Sequence, residues 1–276
     1  MDIALTDDLR TIPINRNSVK GLCLRGFEHL DVTSIPFDEP AEENQELFKL
    51  MKSTKSRCTV CFDFTTNGNT YRIYVKRYRT WRWSRKLGYL FVPSKAMREW
   101  NLGHALLEKG FKTPIPVVAA DLKSGPLVKE NFLATLSIAP FRSAAEYLSD
   151  SQDPQIRKEF LEAMADYVFS FHDSGFYHDD LSAHHIFLHP ERKPYEFALI
   201  DLDNSFFRKT IGKRLRIKNM FQILRSLPET VSPDERIFFL EKYFRAKQIN
   251  PLIKKINAIA GKKNISKVVP DEKDLR

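Results

Sequence analysis

The stretch from His178 to Leu188 reads HDDLSAHHIFL. It matches the pattern H-x-D-L-x-x-x-N-I-x-L at every defined position but one, where His185 stands in place of asparagine. Its flanks fit as well. Upstream lies a long amphipathic helix, with Asp153 at the N-cap, Pro154 at the first helical position and Gly175 at the stop. Ile156, Phe160, Met164, Tyr167 and Phe171 form its buried face. Downstream the strand-like FALIDLDNSF brings Asp201 sixteen residues after His185. Within this frame Asp180 reads as a catalytic carboxylate, His178 as a buried brace of its loop, and Asp179 as a solvated charge.

Working outward toward the N-terminus, TVCFDFTTNGNTYRIYVKRY predicts a β-hairpin. Residues 59–64 and 70–76 are β-branched and aromatic, with Asn67-Gly68 at the turn. A helix is expected from the N-cap Ser94 through Lys95–Lys109 to Gly110, with Met97, Trp100, His104 and Leu107 on its apolar stripe. TPIPVVAAD and FLATLSIAP read as further strands. The acidic run PFDEPAEENQE predicts a loop leading into a short helix around Glu43–Lys52. Toward the C-terminus, helices are expected in 215–227 and 233–247, followed by a lysine-rich, frayed tail over 254–276. These elements divide the chain into an N-terminal part, 1–139, whose first 55 residues have no assigned role, and a mainly helical part, 140–276.

Composition narrows the function classes. The 276 residues carry 44 basic and 35 acidic side chains, a formal charge of +9, which favours polyanionic contacts: nucleic acid, anionic lipid or phosphorylated sugar. Hydrophobic residues make up 42%, as in a globular protein, and the 21 Phe are many for this length. No apolar run reaches the ~18 residues of a membrane span. The opening MDIALTDDLRTIPINRN lacks the layout of a secretory signal, so a cytosolic location is expected. Three cysteines argue against a disulfide framework, and Cys58 and Cys61, on opposite faces of one strand, make no zinc site.

Four elements carry chemistry, in this order: a strand ending in Val75-Lys76, a helix bearing Glu99, the loop with Asp180, and the strand end Ile200-Asp201-Leu202. That order resembles the assembly of a protein-kinase site. It predicts an α+β, protein-kinase-like bilobal fold, with a small antiparallel sheet and one helix in the N-terminal lobe and a mainly helical C-terminal lobe. A strand lysine can hold the α- and β-phosphates of ATP, and a helix carboxylate can fix its reach. Asp180 can accept the acceptor's proton, and Asp201 can bind Mg²⁺. Arg77 or Arg79 competes with Lys76 for the inward position, and Glu108 competes with Glu99. Asp203 is an auxiliary, more structural candidate. Gly68 is the single glycine where a phosphate-covering loop ordinarily has three, so a nucleotide role rests on the backbone amides of one turn.

The chain resembles the lipopolysaccharide kinase family (Kdo/WaaP) over about residues 58–245, on YVKRYR, SKAMREW, GFKTPIPV, HDDLSAHHIFL and IDLDN. The resemblance implies ATP, Mg²⁺, and a heptose or Kdo hydroxyl of the lipopolysaccharide core as acceptor, at the cytoplasmic face of the inner membrane. It also makes histidine at position 185 a family feature. Magnesium prefers oxygen donors, so His185 is expected to contact the loop or a phosphate. The stretch YRTWRWSRKLGYLF, 78–91, interleaves aromatic rings with cations. It suits a membrane or glycolipid surface, nucleic acid, or a solvated loop packed on the small lobe. Two other readings stand beside the leading one: an atypical protein or small-molecule kinase, and an inactive nucleotide- or glycolipid-binding module.

Overall fold

The computed structural model describes residues 10–16, 18–37, 48–263 and 265–269. The chain divides into two compact units, Met1–Ala105 with Pro114–Ile138, and Leu106–Thr113 with Ala139–Arg276.

The first unit is built on seven strands: β1 (Thr11–Arg16), β2 (Val19–Leu24), β3 (Lys49–Ser53), β4 (Arg57–Thr66), β5 (Asn69–Arg79), β6 (Pro116–Ser124) and β7 (Leu127–Leu136). Their spatial order is β1-β2-β6-β7-β5-β4-β3, with every neighbouring pair antiparallel. The predicted hairpin is β4–β5. Asn67 (φ 50°) and Gly68 (φ 76°) form its two-residue turn, the conformation that matches the twist of the flanking strands. Gly21 is required for a different reason. A Cβ there would lie 2.1 Å from the Ala119 carbonyl oxygen, so a side chain would push β2 off β6. Ile73 and Val75 of β5 are fully buried, packing with Phe132 and Phe37 in the core of this unit.

Two helices belong to this stretch of chain, the short α1 (Trp83–Gly88) and α2 (Lys95–Glu108). The first amides of α2 are satisfied twice: Ala96 N–H donates to Asn131 Oδ1 at 3.0 Å, and Met97 N–H to Ser94 Oγ at 3.3 Å. Of the helix expected around Glu43–Lys52, residues 43–47 lie outside the described residues. Lys49–Ser53 is instead the exposed edge strand β3, whose backbone pairs with Cys58–Cys61. Cys58 and Cys61 are buried free thiols.

The second unit holds α3 (Ala144–Asp150), α4 (Pro154–Asp173), α5 (Lys213–Ser226), α6 (Pro233–Phe244) and α7 (Asn250–Lys262). Its short strands are β8 (Arg142–Ser143), β9 (Phe176–Tyr177), β10 (Ile186–Leu188), β11 (Phe197–Leu199) and β12 (Phe206–Phe207). Ser143 with Glu146, and Ser232 with Glu235, close reciprocal capping boxes on α3 and α6, and Asp153 caps α4. The tail is not frayed through Lys262. Helix α7 buries Leu252, Ile253, Ile256 and Ala260 on one face, while Lys254 and Lys255 stay in solvent. The lysines hid an apolar stripe at helical spacing. No described helix is long and apolar enough to cross a membrane.

Candidate active site

In the first unit, β5 and α2 bring together the lysine and carboxylate singled out in the sequence. Lys76 Nζ donates to Glu99 Oε2 at 3.0 Å, and Tyr78 Oη donates to Glu99 Oε1 at 2.5 Å. Lys76 and Tyr78 are two residues apart on one strand, so both point to the face that meets the helix. Glu99 is only 4% exposed, and both its oxygens are engaged, so it presents a fixed anion to the lysine. This arrangement singles out Lys76 over Arg77 and Glu99 over Glu108. Arg77 points the other way, its guanidinium over the Phe37 ring, and it is Glu99, not Glu108, that meets Lys76.

In the second unit, the Asp180 loop lies between two small sheets. β9 pairs with β12 (Tyr177 with Phe206), and β10 pairs with both β11 (Ile186 with Leu199) and β8. These pairings tie both ends of the loop to the segment that carries Asp201. His178 is fully buried, and its Nε2–H donates to the Ile200 carbonyl at 2.9 Å, so it braces the backbone immediately before Asp201. Asp201 itself takes a left-handed backbone (φ 56°), a sharp turn out of the apolar strand β11. His185 donates from Nδ1 to the Asp180 carbonyl at 2.6 Å, so its ring contacts the loop. The Asp180 side chain remains exposed.

Asp179 is not the simple solvated charge expected. Its carboxylate pairs with Lys218 at 3.1 Å, its N–H reaches Ser205 Oγ, and its carbonyl accepts from Gln222 Nε2 at 2.6 Å. Burial pulls the Lys218 ammonium down, but Tyr177 and Asp179 together raise it above its ordinary range.

Behind the loop lies a buried polar chain that the sequence reading missed. Asn219, with no exposed surface, donates to the His178 carbonyl at 2.8 Å and to Gln222 Oε1 at 2.7 Å. Its Oδ1 then accepts from His172 Nε2 at 2.8 Å, which leaves His172 Nδ1 to accept from the Tyr243 hydroxyl at 2.7 Å. Helices α4, α5 and α6 thus fix the loop backbone through one continuous network. The available signal was a histidine on the apolar face of α4 and the polar pair Asn219 and Gln222, three residues apart on α5.

Burial holds both histidines neutral, with pKa values pushed down to about 3 for His172 and about 4 for His178 from the ordinary 6.5. The unfolded chain takes up these protons near pH 6.5. Below that pH the unfolded state binds more protons than the folded state, and stability falls as pH falls. Stability from this source is therefore complete above about pH 7, and is lost at about 1.4 kcal/mol per pH unit per ring as pH drops toward the folded values. Urea titrations at about pH 7.5 and about pH 5.5 are expected to differ by roughly 2–3 kcal/mol, and His172→Gln to reduce that difference by about half.

Carboxylates are the donors a magnesium ion would take here. Among the described residues no group of three or more His, Cys, Asp or Glu could hold a metal alone. Asp201, with Asp203 two residues on, offers carboxylate oxygens, and Mg²⁺ is usually held by one or two carboxylates plus phosphate and water.

A family model described as the lipopolysaccharide kinase (Kdo/WaaP) family matches residues 42–254. The chain is 26% identical over 160 residues to a lipopolysaccharide core heptose(I) kinase WaaP from Escherichia coli, and 26% identical over 159 residues to one from Pseudomonas aeruginosa. The matches cover 55% and 54% of this chain but only 60% and 59% of those proteins, so the chain spans about three fifths of the length of these curated relatives. A solved structure of WaaP in complex with acyl carrier protein is similar in fold, with a TM-score of 0.62 and 21% identity, over 92% of this chain and 98% of that one. The α+β, protein-kinase-like fold expected from the sequence is the fold found.

Proposed function

The chain belongs to the lipopolysaccharide kinase (Kdo/WaaP) family, and from that premise we propose that it transfers the γ-phosphoryl group of ATP to a heptose or Kdo hydroxyl of the lipopolysaccharide inner core. The reaction would take place at the cytoplasmic face of the inner membrane. In this reading Lys76, held by Glu99 and Tyr78, binds the α- and β-phosphates, and the Asn67-Gly68 turn covers them with its amides. Asp201 would hold Mg²⁺, which supplies neutralisation of phosphate charge. Asp180 accepts the proton of the sugar hydroxyl as its oxygen bonds to the γ-phosphorus and the bond to the bridging oxygen breaks, releasing ADP. His185, whose Nδ1–H donates to the Asp180 carbonyl, steadies the loop that carries the base.

The observation that carries this reading is the setting of Asp180. Its carboxylate is exposed, while His185 holds its carbonyl and Gln222 and Asn219 hold those of Asp179 and His178. A reactive side chain on a fixed backbone is what positioning catalysis requires.

Incubation with labelled ATP, Mg²⁺ and either deep-rough lipopolysaccharide or a mixture of proteins tests it. Label is expected in the lipopolysaccharide and absent with Asp180→Ala. Label only in protein would favour an atypical protein kinase, and no transfer to either would favour a binding module.

A further inference from the structure

The segment 81–92 displays a cluster of exposed apolar side chains. Trp81, Trp83, Leu87, Leu90, Phe91 and Val92 are all exposed, Trp83 to 67% and Phe91 to 87%. Helix α1 buries no residue at all. Single exposed apolar side chains are ordinary, but six within twelve residues form a patch of the kind that marks an interaction site.

The segment is nevertheless well formed. Leu90, Phe91 and Val92 continue α1 through turns onto Leu87 and Gly88. Its ends are anchored by buried Thr80, whose N–H donates to Lys129 O at 3.0 Å, and by buried Ser94 at the cap of α2. It therefore presents an ordered apolar tip on fixed stems.

The charge pattern selects the partner. Between Asp63 and Glu99 the sequence holds nine Lys and Arg and not one carboxylate. Arg82 and Arg85 are exposed and form no ion pair with a described residue, and Lys86 lies over the Trp83 ring. A second copy of the chain would set like charges against each other. Nucleic acid would satisfy the cations, but Leu87, Leu90 and Val92 have no ring for a base to stack on. Moreover, ammonium groups already sit over the two tryptophans, Lys55 over Trp81 and Lys86 over Trp83. An anionic bilayer satisfies every component. Its headgroups neutralise the cations, its interface takes the tryptophans, and its acyl region takes Leu90, Phe91 and Val92.

We propose that residues 81–92 dock the protein on an anionic membrane surface. This deepens the reading above and rests on it for its purpose, since a kinase acting on a lipid-anchored sugar must work at that surface.

Co-sedimentation of the full chain with vesicles tests the docking without nucleotide or acceptor. Binding to phosphatidylcholine with phosphatidylglycerol, at about two to one, is expected to be at least about tenfold tighter than to phosphatidylcholine alone, and to weaken with salt. The double variant Trp83→Glu with Phe91→Glu is expected to bind about a hundredfold more weakly. Arg82→Gln with Arg85→Gln and Lys86→Gln is expected to abolish the preference for phosphatidylglycerol. As a measurement needing no variant, brominated lipid should quench the fluorescence of Trp81 and Trp83 but not that of buried Trp100. Asp180→Ala should bind vesicles as the parent does, so failure of docking and failure of phosphotransfer are read separately. The proposal is overturned if the parent chain ignores the mixed vesicles, if the Glu variants bind undiminished, or if the segment captures an oligonucleotide and not lipid.

Discussion

Asp180→Asn is expected to lower kcat by about three orders of magnitude while the KM for ATP and the melting temperature stay near those of the parent. The substitution keeps the shape of the side chain and removes its capacity to take a proton. The Asp180 side chain is exposed, and the bonds that hold its loop come from the backbone and from neighbours: the His185 bond to its carbonyl, the Gln222 bond to Asp179 and the Asn219 bond to His178. Fold and nucleotide affinity therefore have little to lose. Asp179→Asn is the informative contrast, because it stands next in sequence and differs in setting. Its ion pair with Lys218 is about two fifths exposed on both sides, so water screens it, and its loss should change the rate less than about threefold. Steady-state kinetics on lipopolysaccharide acceptor separates the two. Retention of more than about a tenth of kcat in Asp180→Asn would remove the base from this position.

The contrast between these neighbours also shows what a sequence can and cannot convey. Asp180, Lys76 and Asp201 were legible because local rules place them: an alternating strand carries one, an apolar strand leads to another, and a loop of fixed spacing holds the third. Arg77 competed with Lys76 in the sequence, and the Lys76–Glu99 pair with the Arg77 guanidinium over Phe37 separates them. The fate of Asp179 depends on Lys218, 39 residues away, and no local pattern encodes that pairing. The same limit hid β2, whose pairing with β6 joins residues about a hundred apart. In α7 and α1 the difficulty was different. Lysines masked the buried stripe of the first, and the second has no buried stripe to detect.

Asn219→Leu is expected to be the most destabilising single change in the second unit, by about 3–6 kcal/mol. The leucine is close in size, so the cost is one of unmet hydrogen bonds. His172 Nε2–H, the His178 carbonyl and Gln222 Oε1 each lose a partner in a region sealed from water, and each costs about 1–3 kcal/mol. Against a total stability of about 5–15 kcal/mol, that loss should be plain in a urea titration. The His178 carbonyl is also a support of the Asp180 loop, so the residual folded enzyme should show a lower kcat at temperatures where it remains folded. A network has a signature that separate bonds lack. In His172→Phe with Asn219→Leu, the His172–Asn219 donor and acceptor vanish together, so the double variant should be no less stable than Asn219→Leu alone by more than about 1 kcal/mol. Strictly additive losses would mean that the bonds act independently, and the fixed backbone beneath Asp180 would then need another source than this buried chain.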